Sequence, residues 1–195
     1  MEKANYVGQE AFSGTSGLKT INFANNTVLQ TVAASAFLNS GITSLDLSQA
    51  TKLLTIGDSA FQGCSSLTEV KVPKSLKEFG SNVFGGVTGT TNTATTSLTT
   101  IDLSATQVTS LPTNLFNGCS SLSNVKLPAG LTEIGQSAFQ GTTSLTTIAI
   151  PSTVKRINFG NSYFPGAFQG SGLESIDLSG TKMVIGGGSD NSDIS

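Results

Sequence analysis

The sequence predicts a right-handed solenoid of about seven short turns, each adding one strand to a parallel β-ladder. Three observations predict it. The stretch SAFQGCSSLTEVKVP, from Ser59 to Pro73, returns 55 residues later as NLFNGCSSLSNVKLP, from Asn114 to Pro128, with cysteine, lysine and proline in register. Phenylalanines preceded by Ala, Val or Leu recur at Phe12, Phe37, Phe61, Phe84, Phe116, Phe139 and Phe168, and their spacings of 25, 24, 23, 32, 23 and 29 residues are those of a stacked array. Between them every unit carries one L-x-x-I-x-L segment: LKTINF, ITSLDL, LTEVKV, LTTIDL, LSNVKL, LTTIAI and LESIDL.

Each element of a turn follows from this template. The aliphatic alternation that ends L-x-x-I-x-L reads as a short strand, and stacking one per turn buries apolar columns that no single turn could bury alone. Strands about 4.8 Å apart make seven turns a rod or gentle arc of roughly 34 Å. A further apolar position precedes the Phe by five residues, at Val7, Val32, Ile56, Phe79, Leu111 and Ile134, with the last unit stretched to Ile157. The units are too short for a full helix, so segments such as GDSAF and GQSAF are expected to form at most one helical or 3-10 turn. Gly63, Gly118, Gly141 and Gly170, two residues after the Phe, supply the tight corner, and Pro73, Pro128 and Pro151 close the strand where a missing amide donor matters least. Insertions near 87–96 and 158–166 are expected to bulge from a solenoid spanning 1–184. The Gly, Ser and Asp of 185–195 read as a flexible tail or a truncated next turn.

Composition narrows the function classes. Charged residues are 11% of the 195, against about a quarter in ordinary domains, and the formal net charge is −2. The ten basic residues form no run longer than the Lys155-Arg156 pair, which argues against a nucleic-acid or anionic-membrane partner. No run approaches the 18 or so apolar residues of a membrane span, so no membrane insertion is expected of this chain. It opens on MEKANYVGQEAF, which has no charged and then apolar leader, and the repeats suggest a segment cut from a longer exported protein.

Catalysis finds little support. The chain has no histidine, which removes Ser-His-Asp and Cys-His arrangements. Glu174 and Asp177 are the nearest pair of carboxylates at exposed strand positions, and nothing predicts a pocket around them; a solvated pair is the simpler reading. GGGS at 186–189 lacks the Lys-Ser/Thr of a phosphate loop. Cys64 and Cys119 share a column two turns apart, near 10 Å by strand spacing and beyond the roughly 7 Å Cα limit of a disulfide, so both are expected as free, buried thiols. Two distant thiols cannot complete a metal site. No enzyme activity, cofactor or metal is expected.

Binding candidates are more specific. The column between the last two strand apolars holds Asn22, Asp46, Lys71, Asp102, Lys126, Ala149 and Asp177. Asp46, Lys71, Asp102 and Lys126 then form a ladder of alternating sign, which either pairs across strands for about 0.2 to 1 kcal/mol per contact or serves as a polar strip for docking a protein. The second insertion presents Tyr163 and Phe164 beside Pro165, either as an aromatic anchor for a partner or as a cover for the side of the solenoid. Asn25-Asn26-Thr27 fits a glycosylation acceptor in a eukaryotic secretory route.

The pattern I-G-x-x-A-F-x-G-C-x-S-L-T-x-V-x-L-P-x-x-L-x-x-I, carried almost whole from Ile56 to Phe79 and from Leu111 to Ile134, resembles the leucine-rich repeats of BspA-like surface proteins of bacteria and protists. The resemblance covers Val7 to Leu178. It implies a leucine-rich repeat solenoid, a β-rich member of the α/β horseshoe class, in a cell-surface or secreted protein. It also implies adhesion or protein binding through the strand face and loops, with a host or matrix protein as partner. Carbohydrate binding is the alternative, with Tyr163 and Phe164 as its only candidate aromatic platforms. A purely structural spacer is the third.

Overall fold

The structure is a computed structural model that describes residues 3–86, 94–158, 160 and 165–183. Among them the chain forms eleven strands of two or three residues: β1 (Tyr6–Val7), β2 (Thr31–Val32), β3 (Ser44–Asp46), β4 (Thr55–Ile56), β5 (Glu69–Lys71), β6 (Glu78–Phe79), β7 (Thr100–Asp102), β8 (Ser110–Leu111), β9 (Asn124–Lys126), β10 (Glu133–Ile134) and β11 (Arg156–Ile157). All pair in parallel, in the orders β1-β2-β4-β6, β3-β5-β7-β9 and β8-β10-β11.

The ladder expected from L-x-x-I-x-L is the sheet β3-β5-β7-β9. Each of its strands points one apolar residue inward between two exposed ones, as Leu45 does between Ser44 and Asp46. A second ladder, not expected from the sequence, runs along the apolar position five residues before each Phe. Its strands bury Val7, Val32, Ile56 and Phe79, then Leu111, Ile134 and Ile157. These strands have only two residues, too few for alternation to announce them.

The phenylalanines make a third row. Phe12, Phe37, Phe61, Phe84, Phe116, Phe139 and Phe168 stack nearly parallel, with successive ring centroids 5.0, 5.2, 5.7, 5.6, 5.4 and 5.2 Å apart. The five inner rings are fully buried. Each stacked pair contributes about 0.5–1.5 kcal/mol beyond the burial of its area.

No helix or 3-10 turn forms among the described residues. The backbone of the Phe segments explains why. Around Phe12, Phe37, Phe84 and Phe116 the amides two before, at and two after the Phe donate along the solenoid axis to the next turn, as Ser35 does to Asp58, Phe37 to Ala60 and Asn39 to Gln62. Donors used between turns are not available within one. The residue two before the Phe is left-handed at Glu10, Ser35, Ser59, Asn82, Asn114 and Ser137, with φ of 54–58°, a region where Asn is enriched and where a helix cannot continue. The predicted corner glycines are left-handed as well, Gly63 at φ 71° and Gly118 at 75°. Gly80 answers a different constraint, since a Cβ there would stand 2.4 Å from the amide nitrogen of Asp58 in the preceding turn.

Candidate interaction face

The sheet β3-β5-β7-β9 presents its polar residues to solvent. Asp46 stands opposite Lys71, and Asp102 opposite Lys126, in the strand register. The second pair is close, with Lys126 Nζ 2.9 Å from Asp102 Oδ2; the first is looser, with Lys71 Nζ 3.8 Å from Asp46 Oδ2 and 3.6 Å from Glu69 Oε1. No ion pair joins Lys71 to Asp102. The pairing of β5 with β7 ends at Val70–Ile101, one rung short of them, so the alternating ladder resolves into two separate pairs. Asp177 bridges to Ala149 and has no cation beside it in the column. All these side chains are more than half exposed where paired, and such pairs contribute about 1 kcal/mol at most.

The carboxylates also have a local task. Asp46, Asp102 and Asp177 each accept the amide two residues on, from Ser48, Ser104 and Ser179, at 2.9, 3.0 and 2.9 Å, and Asn22 accepts that of Ala24 at 2.8 Å. In the remaining turns the same position is Pro73, Pro128 or Pro151, which has no amide to satisfy. The Asp-Leu-Ser and Pro-terminated turns are thus two solutions to one corner: accept the donor with a side chain, or remove it. The hydroxyl and amide of Ser104, with Lys126, hold the Asp102 carboxyl at about 2, and Ser48 lowers that of Asp46. Ser179 lowers that of Asp177. All three are ionised at neutral pH.

An open groove of about 420 Å³ lies at the first end of this face, lined by Ile21, Asn22, Phe23, Asp46 and Ser48 among others. It is a shallow depression in a broad surface. Glu174 and Asp177 are exposed. Tyr163 and Phe164 lie outside the described residues, as do 87–93, 159, 161–162 and 184–195 of the predicted insertions and tail.

Cys64 and Cys119 are buried and unbridged. Cys64 Sγ donates to the Phe37 carbonyl at 3.1 Å, and Cys119 Sγ to that of Phe84 at 3.4 Å. Burial pushes both thiols up, away from the reactive thiolate. In the turn with the first insertion Thr95 holds the equivalent place and donates to Phe61 O at 2.6 Å. The column therefore needs a small donor, which cysteine and threonine both supply. Among the described residues no group of three or more acidic or thiol side chains is placed to hold a metal, and no helix is long and apolar enough to cross a membrane.

Comparison with known proteins agrees with this geometry. The model of the BspA type leucine rich repeat region matches in 6 copies over residues 1–96 and 93–167. A leucine-rich repeat protein from Bacteroides ovatus shares the fold at TM-score 0.73 and 24% identity, over 93% of this chain and 43% of that one. The Treponema pallidum leucine rich repeat protein is similar at TM-score 0.58 and 26% identity, over 76% of this chain and 63% of that one. A leucine rich cell surface protein from Faecalibacterium prausnitzii is similar at TM-score 0.54 and 30% identity, over 79% of this chain and 40% of its own length. This chain thus spans less than half of the Bacteroides and Faecalibacterium chains and under two thirds of the Treponema one. No curated protein matches it in sequence. With seven stacked phenylalanines and six matched repeats, the chain belongs to the BspA-type leucine-rich repeat proteins.

Proposed function

We propose that the chain is the repeat array of a cell-surface or secreted protein that binds another protein, a host or matrix protein, through the strand face, and that it has no catalytic role. The observation that carries this reading is the face of β3-β5-β7-β9: exposed polar columns held in fixed register, with carboxylates ionised at neutral pH and lysines paired beside them. A broad, rigid surface of this kind offers many spaced contacts and suits a macromolecule better than a small substrate. The description of the Faecalibacterium relative as a cell surface protein supports the location.

The test must separate charge from corner capping. Asp46→Asn and Asp102→Asn keep a side-chain acceptor for Ser48 and Ser104, and Lys71→Gln and Lys126→Gln keep the aliphatic stems. The quadruple variant is expected to unfold within a few degrees of the parent and to lose about tenfold or more in affinity for matrix proteins captured by the parent, measured by surface plasmon resonance. Unchanged binding by the folded variant would sink the docking role of these four residues.

A further inference from the structure

Two of the nine lysines form ion pairs with described residues, and three of the seven that do not are gathered at one place on the surface. Lys71 and Lys126 stand on the strand face beside carboxylates, and Arg156 on β11 stands 3.7 Å from Glu133. Lys52, Lys74 and Lys77 form no ion pair with any described residue, yet all three are exposed on one corner of two adjacent turns. This corner carries the chain from β3 to β4 and, one turn on, from β5 to β6. The register Thr55–Glu78 places Leu54 beside Lys77, and the Lys77 amide donates to Leu54 O at 2.9 Å. Lys52 lies two residues before Leu54, and Lys74 crosses the same corner one turn later, about 5 Å along the axis.

The corner is rigid. Ser75 Oγ donates to Leu53 O at 2.7 Å and lies 3.4 Å from Ala50 O, while Gln107 Nε2 donates to Lys74 O at 3.3 Å. Beside Lys77 and two residues after Lys52 stands Leu54, 43% exposed and one of three large apolar side chains left in solvent among the described residues. Glu78 is the single carboxylate on these segments and pairs with none of the three. A net positive, partly apolar corner on a chain of net charge −2 is no by-product of basic composition.

We propose that this corner docks an acidic peptide segment in which an apolar side chain lies between carboxylates. The apolar residue would cover Leu54, and the carboxylates on either side of it would reach Lys77 on the neighbouring turn and Lys52 and Lys74 earlier on the same corner. Three ammonium groups held on one corner repel one another, and an anionic partner converts that repulsion into attraction. The surface is separate from the strand face, so the two proposals can fail independently.

The test uses a short fluorescent peptide with leucine flanked by glutamates on both sides, followed by fluorescence anisotropy at low and physiological salt. The parent chain is expected to bind it, more weakly as salt rises. The Lys52→Gln, Lys74→Gln, Lys77→Gln triple variant should lose about tenfold or more, and Leu54→Ser about threefold or more. The strand-face quadruple variant should bind like the parent. Exposed substitutions keep the fold, which circular dichroism of each variant verifies. The proposal is overturned if the peptide does not bind or if the triple variant binds equally well. It is also overturned if a peptide with serine for leucine, or a sulfated polysaccharide, competes as well as the parent peptide while Leu54→Ser changes nothing, since the corner would then be a general polyanion surface.

Discussion

The turn from Phe61 to Phe84 takes 23 residues and the next, from Phe84 to Phe116, takes 32, yet the ring centroids are 5.7 and 5.6 Å apart. Chain length does not set the rise of the solenoid; the column residues do. The longer turn leaves the template after Gly86 and rejoins it at Thr95, whose hydroxyl donates to Phe61 O as the thiol of Cys64 does to Phe37 O. Gly86 itself still donates to Asn117 O at 2.8 Å, as Asn39 does to Gln62 O in a shorter turn. Residues between these points can be added as long as both anchor positions stay filled.

The largest effect expected in this comparison is at the ring shared by both turns. Phe84→Ala should destabilise by about 3–5 kcal/mol, and Phe61→Ala, wholly among shorter turns, by a similar amount. Chemical denaturation of both would show whether the long turn is as well packed as the short ones; a loss at Phe84 of less than half that at Phe61 would break the equivalence. Next in size is Thr95→Val, which keeps the shape and removes a buried donor, at an expected loss of about 1–2 kcal/mol. Thr95→Cys should recover part of it, because cysteine fills the same column at Cys64 and Cys119. Smallest is deletion of 87–94, which joins Gly86 to Thr95 and restores the spacing of Gly63 to Cys64. Closing a shorter loop changes stability by about 1 kcal/mol or less, so a melting temperature within a few degrees of the parent is expected, and a large fall would show that the insertion supports the stack.

Much of this architecture was legible in the sequence because solenoid columns are periodic in apolar residues. The Phe row and the β3-β5-β7-β9 ladder follow from spacing alone. The second ladder was missed since its strands contribute one buried residue each, and the left-handed residue two before the Phe was missed because Glu10, Ser35 and Asn82 share no apolar signature. A signal was present: Ser or Asn fills that place in five of the six turns with positive φ there, and Asn tolerates the conformation well. On the interaction face, the pairing of Asp46 with Lys71 and of Asp102 with Lys126 followed from their common column. The break between the pairs depends on where the β5–β7 pairing ends, which no residue type signals. The capping of Ser48, Ser104 and Ser179 could have been found from the alternation of Asp-Leu-Ser with Pro at the same offset. Lys52, Lys74 and Lys77 look scattered in sequence because stacking brings 22-residue separations to neighbouring turns.

The backbone of the Phe segments has a kinetic consequence. Alternate donors reach forward to the following coil, and those between them close only single turns within their own coil, as Leu38 does to Ser35 O and Ser40 to Phe37 O, so a described coil by itself holds too little hydrogen bonding to form in isolation. Assembly must then advance as a front from an initial pair of coils, each completed one templating its successor. Such a front meets its largest entropic barrier where the most chain has to be gathered before the next contact forms, which is the passage between Phe84 and Phe116.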